Sequence, residues 1–153
     1  MAKVRIKNSM EFSQAVWMRK IAEKVLKAYD ALLEDVDLSK VIFIYEETGE
    51  PTEFNGYCRL IEADFRDILK SRAVEADFII GFMSCHCEGK SDKWLAILML
   101  HELMHIGYGI YGPKVVKHEI EEFSAVLRLA GLNWQNDAES LPDILKKKLR
   151  LVA

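Results

Sequence analysis

Two histidines and a glutamate, His101, Glu102 and His105, stand in the order His-Glu-x-x-His, with Leu103 and Met104 between them. Residues four apart on a helix lie one above the other, so both imidazoles can reach a single ion. Glu102 is offset by one position and falls beside that ion, where a carboxylate can take a proton from water. The seven residues before the motif, Trp94 to Leu100, are all apolar. Two imidazoles and a carboxyl buried at the end of such a helix lose their hydration unless a shared partner compensates, and a metal ion is such a partner. The plain alternative, a pair of hydrogen-bonded core histidines, supplies no such common partner.

Catalytic zinc sites take three protein ligands and keep one position open. The third ligand must come from elsewhere, and the stretch after Pro113 offers candidates. Placed at 100° per residue on a helix, Lys117, Glu121, Ser124 and Arg128 share one polar face. His118, Glu119 and Glu122 fall outside it, among Val115, Ile120, Phe123, Val126 and Leu129. His118 is the favoured third ligand, with Glu122 and Glu119 as carboxylate alternatives; a carboxylate that does not bind the metal would orient a liganding histidine. Glu121 reads as solvent-facing.

These side chains need elements to hold them. Residues 11–34 carry Val16, Ile21, Val25, Leu26, Tyr29, Leu32 and Leu33 at helical spacing. Val41 to Tyr45 reads as a strand, 46–56 as a loop, and Asp77 to Met83 as a second strand. Tyr57 to Arg72 fits a helix late and a strand early. A polar connection spans Cys85 to Lys90, after which Ser91 can cap the motif helix, which should stop near Gly107 or Gly109. The next helix should open at Pro113 and close at Gly131, and a last one should run from Leu141 to about Leu151 with Pro142 in its first turn. This order describes an α+β domain with a small sheet packed on helices.

Length and composition agree. The 153 residues suit one domain, half of them are apolar and 29% charged, and the net charge is −3. That balance argues against nucleic-acid binding, and Lys146, Lys147 and Lys148 read as the solvated face of a terminal helix. The polar stretch from Met1 to Met10 lacks a signal-peptide core, and no segment has the roughly 20 apolar residues of a membrane span. Cys58, Cys85 and Cys87 are an odd count, unlike a secreted disulfide framework. The chain therefore reads as cytoplasmic. Cys58, Cys85, His86 and Cys87 together offer three thiols and an imidazole to a second metal, but free cysteines are the favoured reading.

The block His101-Glu102-Leu103-Met104-His105, followed by Lys117-His118-Glu119-Ile120-Glu121-Glu122-Phe123, resembles the phage metallopeptidase family, which looks like a minimal zincin. The likeness covers about residues 75–130. It implies a minimal zincin-like domain, here 1–153, with zinc as cofactor and a peptide or protein as substrate. The layout is more distantly similar to SprT-like proteases, which take a third histidine from a following helix. It departs from the metzincins, because Tyr111 stands where that pattern has a histidine.

In that setting Glu102 is the expected general base, and Tyr108 and Tyr111 are the candidate donors to a tetrahedral oxyanion. The strand Asp77 to Met83 is the expected sheet edge for an extended substrate. Two other readings compete. His105-Ile106-Gly107-Tyr108 resembles the Gly-Tyr-bearing motif of a bacterial RNA-processing endonuclease family, which would make the protein another metal-dependent hydrolase, such as a nuclease. A non-catalytic zinc-binding regulatory module is the third.

Overall fold

The computed structural model describes residues 16–47, 51–118, 122–131, 133–136 and 141–146. The first helix, α1, spans Val16–Ala28 and buries Met18, Ala22 and Val25, three residues at helical spacing. The expected helix over 11–34 is thus shorter: 11–15 lie outside the described residues, and 29–34 form turns. Tyr29 and Leu33 are still buried, so the apolar spacing served packing after the helix had ended. The Tyr29 hydroxyl donates to the carbonyl of Ile144, tying this turn to the C-terminal part of the chain.

Asp37 caps a single 3-10 turn at Leu38–Lys40, and β1, Val41–Glu46, follows at once. After a loop come β2 at Gly56–Leu60, α2 at Ala63–Ser71 and β3 at Phe78–Met83. The ambiguous stretch resolves as strand first and helix second. The strand order is β1-β3-β2, with β3 parallel to β1 and antiparallel to β2.

Here the expectation of an edge strand at Asp77 to Met83 is corrected: β3 is central. Its side chains are almost all buried, whereas those of β2 are half-buried or exposed. A strand apolar on both faces is the kind a sheet surrounds. Alternation then sorts the two faces. Val41, Phe43, Phe78, Ile80 and Phe82 join the main core with α1 and the motif helix. Ile42, Ile44 and Ile79 turn the other way, onto Phe65 and Leu69 of α2.

Beyond β3 the expected polar connection is one helical turn, α3, at Ser84–Cys87. Then α4 runs over Asp92–Leu103, its N-terminus capped by Ser91 Oγ, which accepts from the Trp94 amide at 3.2 Å. Every residue from Trp94 to Leu103 is buried, as the unbroken apolar run requires. The helix stops earlier than Gly107. Met104 is its C-cap, and His105 sits in the turn beyond it.

The chain after His105 corrects a second expectation. Ile106–Gly109 and Gly112–Val115 form an antiparallel hairpin, β4 and β5, so no helix opens at Pro113. Gly112 has φ +110°, a turn conformation that side-chain-bearing residues rarely adopt, and Val115-Val116 is β-branched. Pro113 lacks an N–H, which a two-stranded edge tolerates as well as a first helical turn does. Among the described residues the expected helix survives as α5, Ser124–Ala130, closed by Gly131 at φ +92°. Within 141–146 the chain makes turns, and the rest of the expected last helix, with Lys147 and Lys148, lies outside the described residues.

Candidate metal centre

The end of α4 and the exit of the hairpin are stitched together by two hydrogen bonds. The Val116 amide donates to the His105 carbonyl at 2.7 Å, and His105 Nδ1 bonds the Val116 carbonyl at 2.6 Å. Two residues further on, the chain lays His118 against the motif histidines. His118 Nε2 is 3.1 Å from His101 Nε2 and 3.0 Å from His105 Nε2. So His118 meets the pair from the irregular segment after β5, not from the helix expected to open at Pro113. Among the described residues, these three side chains are the only group of three or more whose ligating atoms lie close enough to share an ion.

The opposite ring nitrogens decide which lone pairs are free. A carbonyl only accepts, so His105 Nδ1 carries the proton and its Nε2 presents a lone pair. His101 Nδ1 bonds Glu122 Oε1, which fixes the same arrangement there. Glu122 is buried, and it also accepts from the Phe123 amide at 2.8 Å and from Trp134 Nε1 at 3.1 Å. Glu122 therefore holds His101 by the nitrogen that faces away from His118. Glu119, the other carboxylate candidate, and Glu121 lie outside the described residues.

Titration behaviour follows from burial and charge. Burial pushes His105 down to about 4, against the Val116 hydrogen bond, which works the other way. His118 is lowered by burial and then by the charge of His101. His101 is raised: burial opposes its charged form, but the Glu122 hydrogen bond and the neighbouring carboxylates outweigh burial. Glu122 is correspondingly lowered, with the His101 bond overcoming its own burial. Neutral imidazole is the form that binds metals, and two of the three rings are pressed toward it.

Glu102 is 3% exposed, with Oε1 3.9 Å from His101 Nε2. Burial raises its carboxyl to about 7, with His101 pulling down and Glu122 pushing up. The carboxylate lies against the start of β2, where a Cβ on Gly56 would stand 3.3 Å from Glu102 Oε1 and 2.8 Å from the Gly81 carbonyl oxygen. The loop expected over 46–56 therefore ends before Gly56, which opens β2. Phe123 reads as core from sequence, yet its ring meets His105 and His118 edge-on, each at 4.9 Å. Trp134 was not singled out at all, since nothing local marks an indole for a carboxylate 12 residues away.

Of the two candidate tyrosines, one is hydrogen-bonded to a carboxylate and the other is exposed. Tyr108 donates to Asp77 Oδ2 at 3.0 Å and stacks edge-on against Phe78. Tyr111 is fully exposed on the turn between β4 and β5. Neither hydroxyl bonds the histidine cluster among the described residues. The cysteines form no second cluster there either. None of the three forms a disulfide; Cys87 Sγ donates weakly to the Asn55 carbonyl at 3.7 Å, and His86 Nε2 bonds the Thr52 carbonyl at 2.6 Å. Burial pushes both Cys58 and Cys87 up to about 12.

Three ring nitrogens converging within hydrogen-bond distance, two of them with lone pairs turned inward, call for a cation or a proton among them. The donor set therefore fits a divalent metal ion, and three imidazoles suit one of borderline softness. No helix of the described residues is long and apolar enough to cross a membrane. The model of a family described as "Putative phage metallopeptidase" matches residues 10–142. No curated protein and no solved structure matches significantly.

Proposed function

The chain belongs to the phage metallopeptidase family, and from that premise we propose that it is a zinc-dependent peptidase. His101, His105 and His118 would hold the ion and Glu102 would be the general base. The observation that carries this reading is the convergence of three imidazoles, with His118 Nε2 3.1 Å from His101 Nε2 and 3.0 Å from His105 Nε2, and a buried carboxylate 3.9 Å from the His101 nitrogen. A zinc ion there supplies Lewis acidity, which acidifies water and polarises a carbonyl.

The protein's own residues do the rest. Glu102 takes the proton from the attacking water as the C–O bond forms, and delivers it to the leaving nitrogen as the C–N bond breaks. Its raised pKa, near 7, suits a group that must both accept and return a proton at neutral pH. Glu122 and the Val116 carbonyl hold His101 and His105 in the tautomer that keeps Nε2 free.

The substrate proposal moves with the sheet. The Met83 amide donates to Asn55 and the Ile61 amide to Asp77, so odd-numbered residues of β2 bond to β3. The N–H and C=O groups of Gly56 and Cys58 therefore point to the outer side of β2, which ends the sheet. An extended peptide added there would run past Gly56, beside Glu102. Backbone pairing of this kind needs no deep specificity pocket.

The test combines elemental analysis with cleavage of an unfolded protein and of a structured RNA. One zinc in wild type and in Glu102→Gln, none in His118→Ala, and peptide cleavage by wild type alone are expected. Cleavage of RNA but not protein would replace the peptidase with a metal-dependent nuclease. Zinc bound without either activity would leave a binding module.

A further inference from the structure

A chain of three side chains leads away from the histidine cluster. Trp134 Nε1 donates to Glu122 Oε2 at 3.1 Å, and Glu122 Oε1 bonds His101 Nδ1. The indole itself is fixed on its other sides. Its ring lies 5.8 Å from that of Trp94, and the turn that carries it is tied down twice. Trp94 Nε1 donates to the Gln135 carbonyl at 3.4 Å, and Asn55 Nδ2 donates to Gln135 Oε1 at 3.3 Å. Trp134 is 2% exposed and Glu122 7%.

We infer that Trp134 is a positioning residue for the metal centre: its indole N–H fixes the Glu122 carboxylate, which in turn holds His101 with Nε2 facing His118. The inference rests on the reading of the three histidines as metal ligands. A carboxylate has two oxygens and turns freely about its last bond. With Oε2 bonded to Trp134 and Oε1 to the Phe123 amide, only one orientation remains for meeting His101. A ligand held in place before the ion arrives loses less freedom on binding, so the clamp raises affinity without touching the ion.

The experiment uses Trp134→Phe, which keeps an aromatic ring against Trp94 but removes the donor. Zinc affinity is read by competition with a chromophoric chelator. The ring tautomer of His101 is read from imidazole nitrogen shifts in the metal-free protein. We expect zinc binding weakened by about tenfold, the lower end of what groups supporting a ligand contribute. We also expect the His101 signals to move from a pure Nδ1–H form toward a mixture. Unchanged affinity together with an unchanged tautomer would overturn the clamp. A wild type that binds no zinc would bring down the metal reading instead, and the metal-free tautomer would then decide the clamp alone. Should Trp134→Phe fail to fold, Glu122→Gln breaks the same chain from its middle; wild-type zinc affinity and tautomer in that variant would overturn the inference.

Discussion

Two glutamates one helix end apart are driven in opposite directions by their surroundings. Glu102, almost fully buried, is pushed up to about 7 because burial outweighs the pull of His101, while Glu122, hydrogen-bonded to His101, is lowered. For Glu102 the sign is definite. A carboxyl whose folded pKa lies above its unfolded value of 4.5 stabilises the fold at low pH, and that contribution is lost as pH rises through about 7. His105 acts on the other side: its pKa near 4 gives stability above 6.5 that is lost as pH falls through 4. Thermal melts of chelator-treated protein should therefore show wild type losing stability between pH 5 and 8 more steeply than Glu102→Gln. Equal slopes would mean that the carboxyl is ionised in the fold throughout that range.

At the scale of elements, the centre is built where α4, the hairpin exit and the start of β2 meet. Gly56 is the glycine whose missing Cβ would meet backbone beside Glu102. Its missing Cβ would stand 2.8 Å from a backbone oxygen of β3, closer than any side chain can move to relieve. Gly56→Ala should shift β2 outward against Glu102 and lower stability by about 1–3 kcal/mol, the usual cost of overpacking. Urea unfolding of the metal-free protein measures it. Because the displaced strand is the one proposed to pair with substrate, peptide cleavage should fall in the same variant by more than the unfolded fraction explains. A variant as stable and as active as wild type would remove β2 from the site.

For the molecule as a whole, an ion held by the three histidines would bridge segments distant in the chain, since His101 and His118 stand 17 residues apart. A ligand that binds only the folded state stabilises it by about 4 kcal/mol at 1,000 times its dissociation constant. For a domain of this size that is a rise in Tm of roughly 10 °C. Removing metal with a chelator should lower Tm by about that amount in wild type and leave His118→Ala almost unmoved. An equal fall in both would place the stabilising ion elsewhere.

The sequence by itself determined the pieces whose cause is local. The His-Glu-x-x-His spacing, the wholly apolar run into it, the Ser91 cap, the Gly131 stop and the strand-like Val41 to Tyr45 all follow from residues within a few positions of one another. His118 was picked for a sound reason, a ligating side chain outside the polar stripe, on a mistaken element. The 100° projection assumed a helix where Gly112 and a β-branched pair make a hairpin instead. Only the tertiary structure decided which strand ends the sheet, that Glu122 supports His101 through the nitrogen opposite its free lone pair, that the Tyr108 hydroxyl belongs to Asp77, and that Trp134 closes on Glu122. Each of these depends on pairing across long loops, and the side chains involved carry no local mark of the partner that folding brings to them.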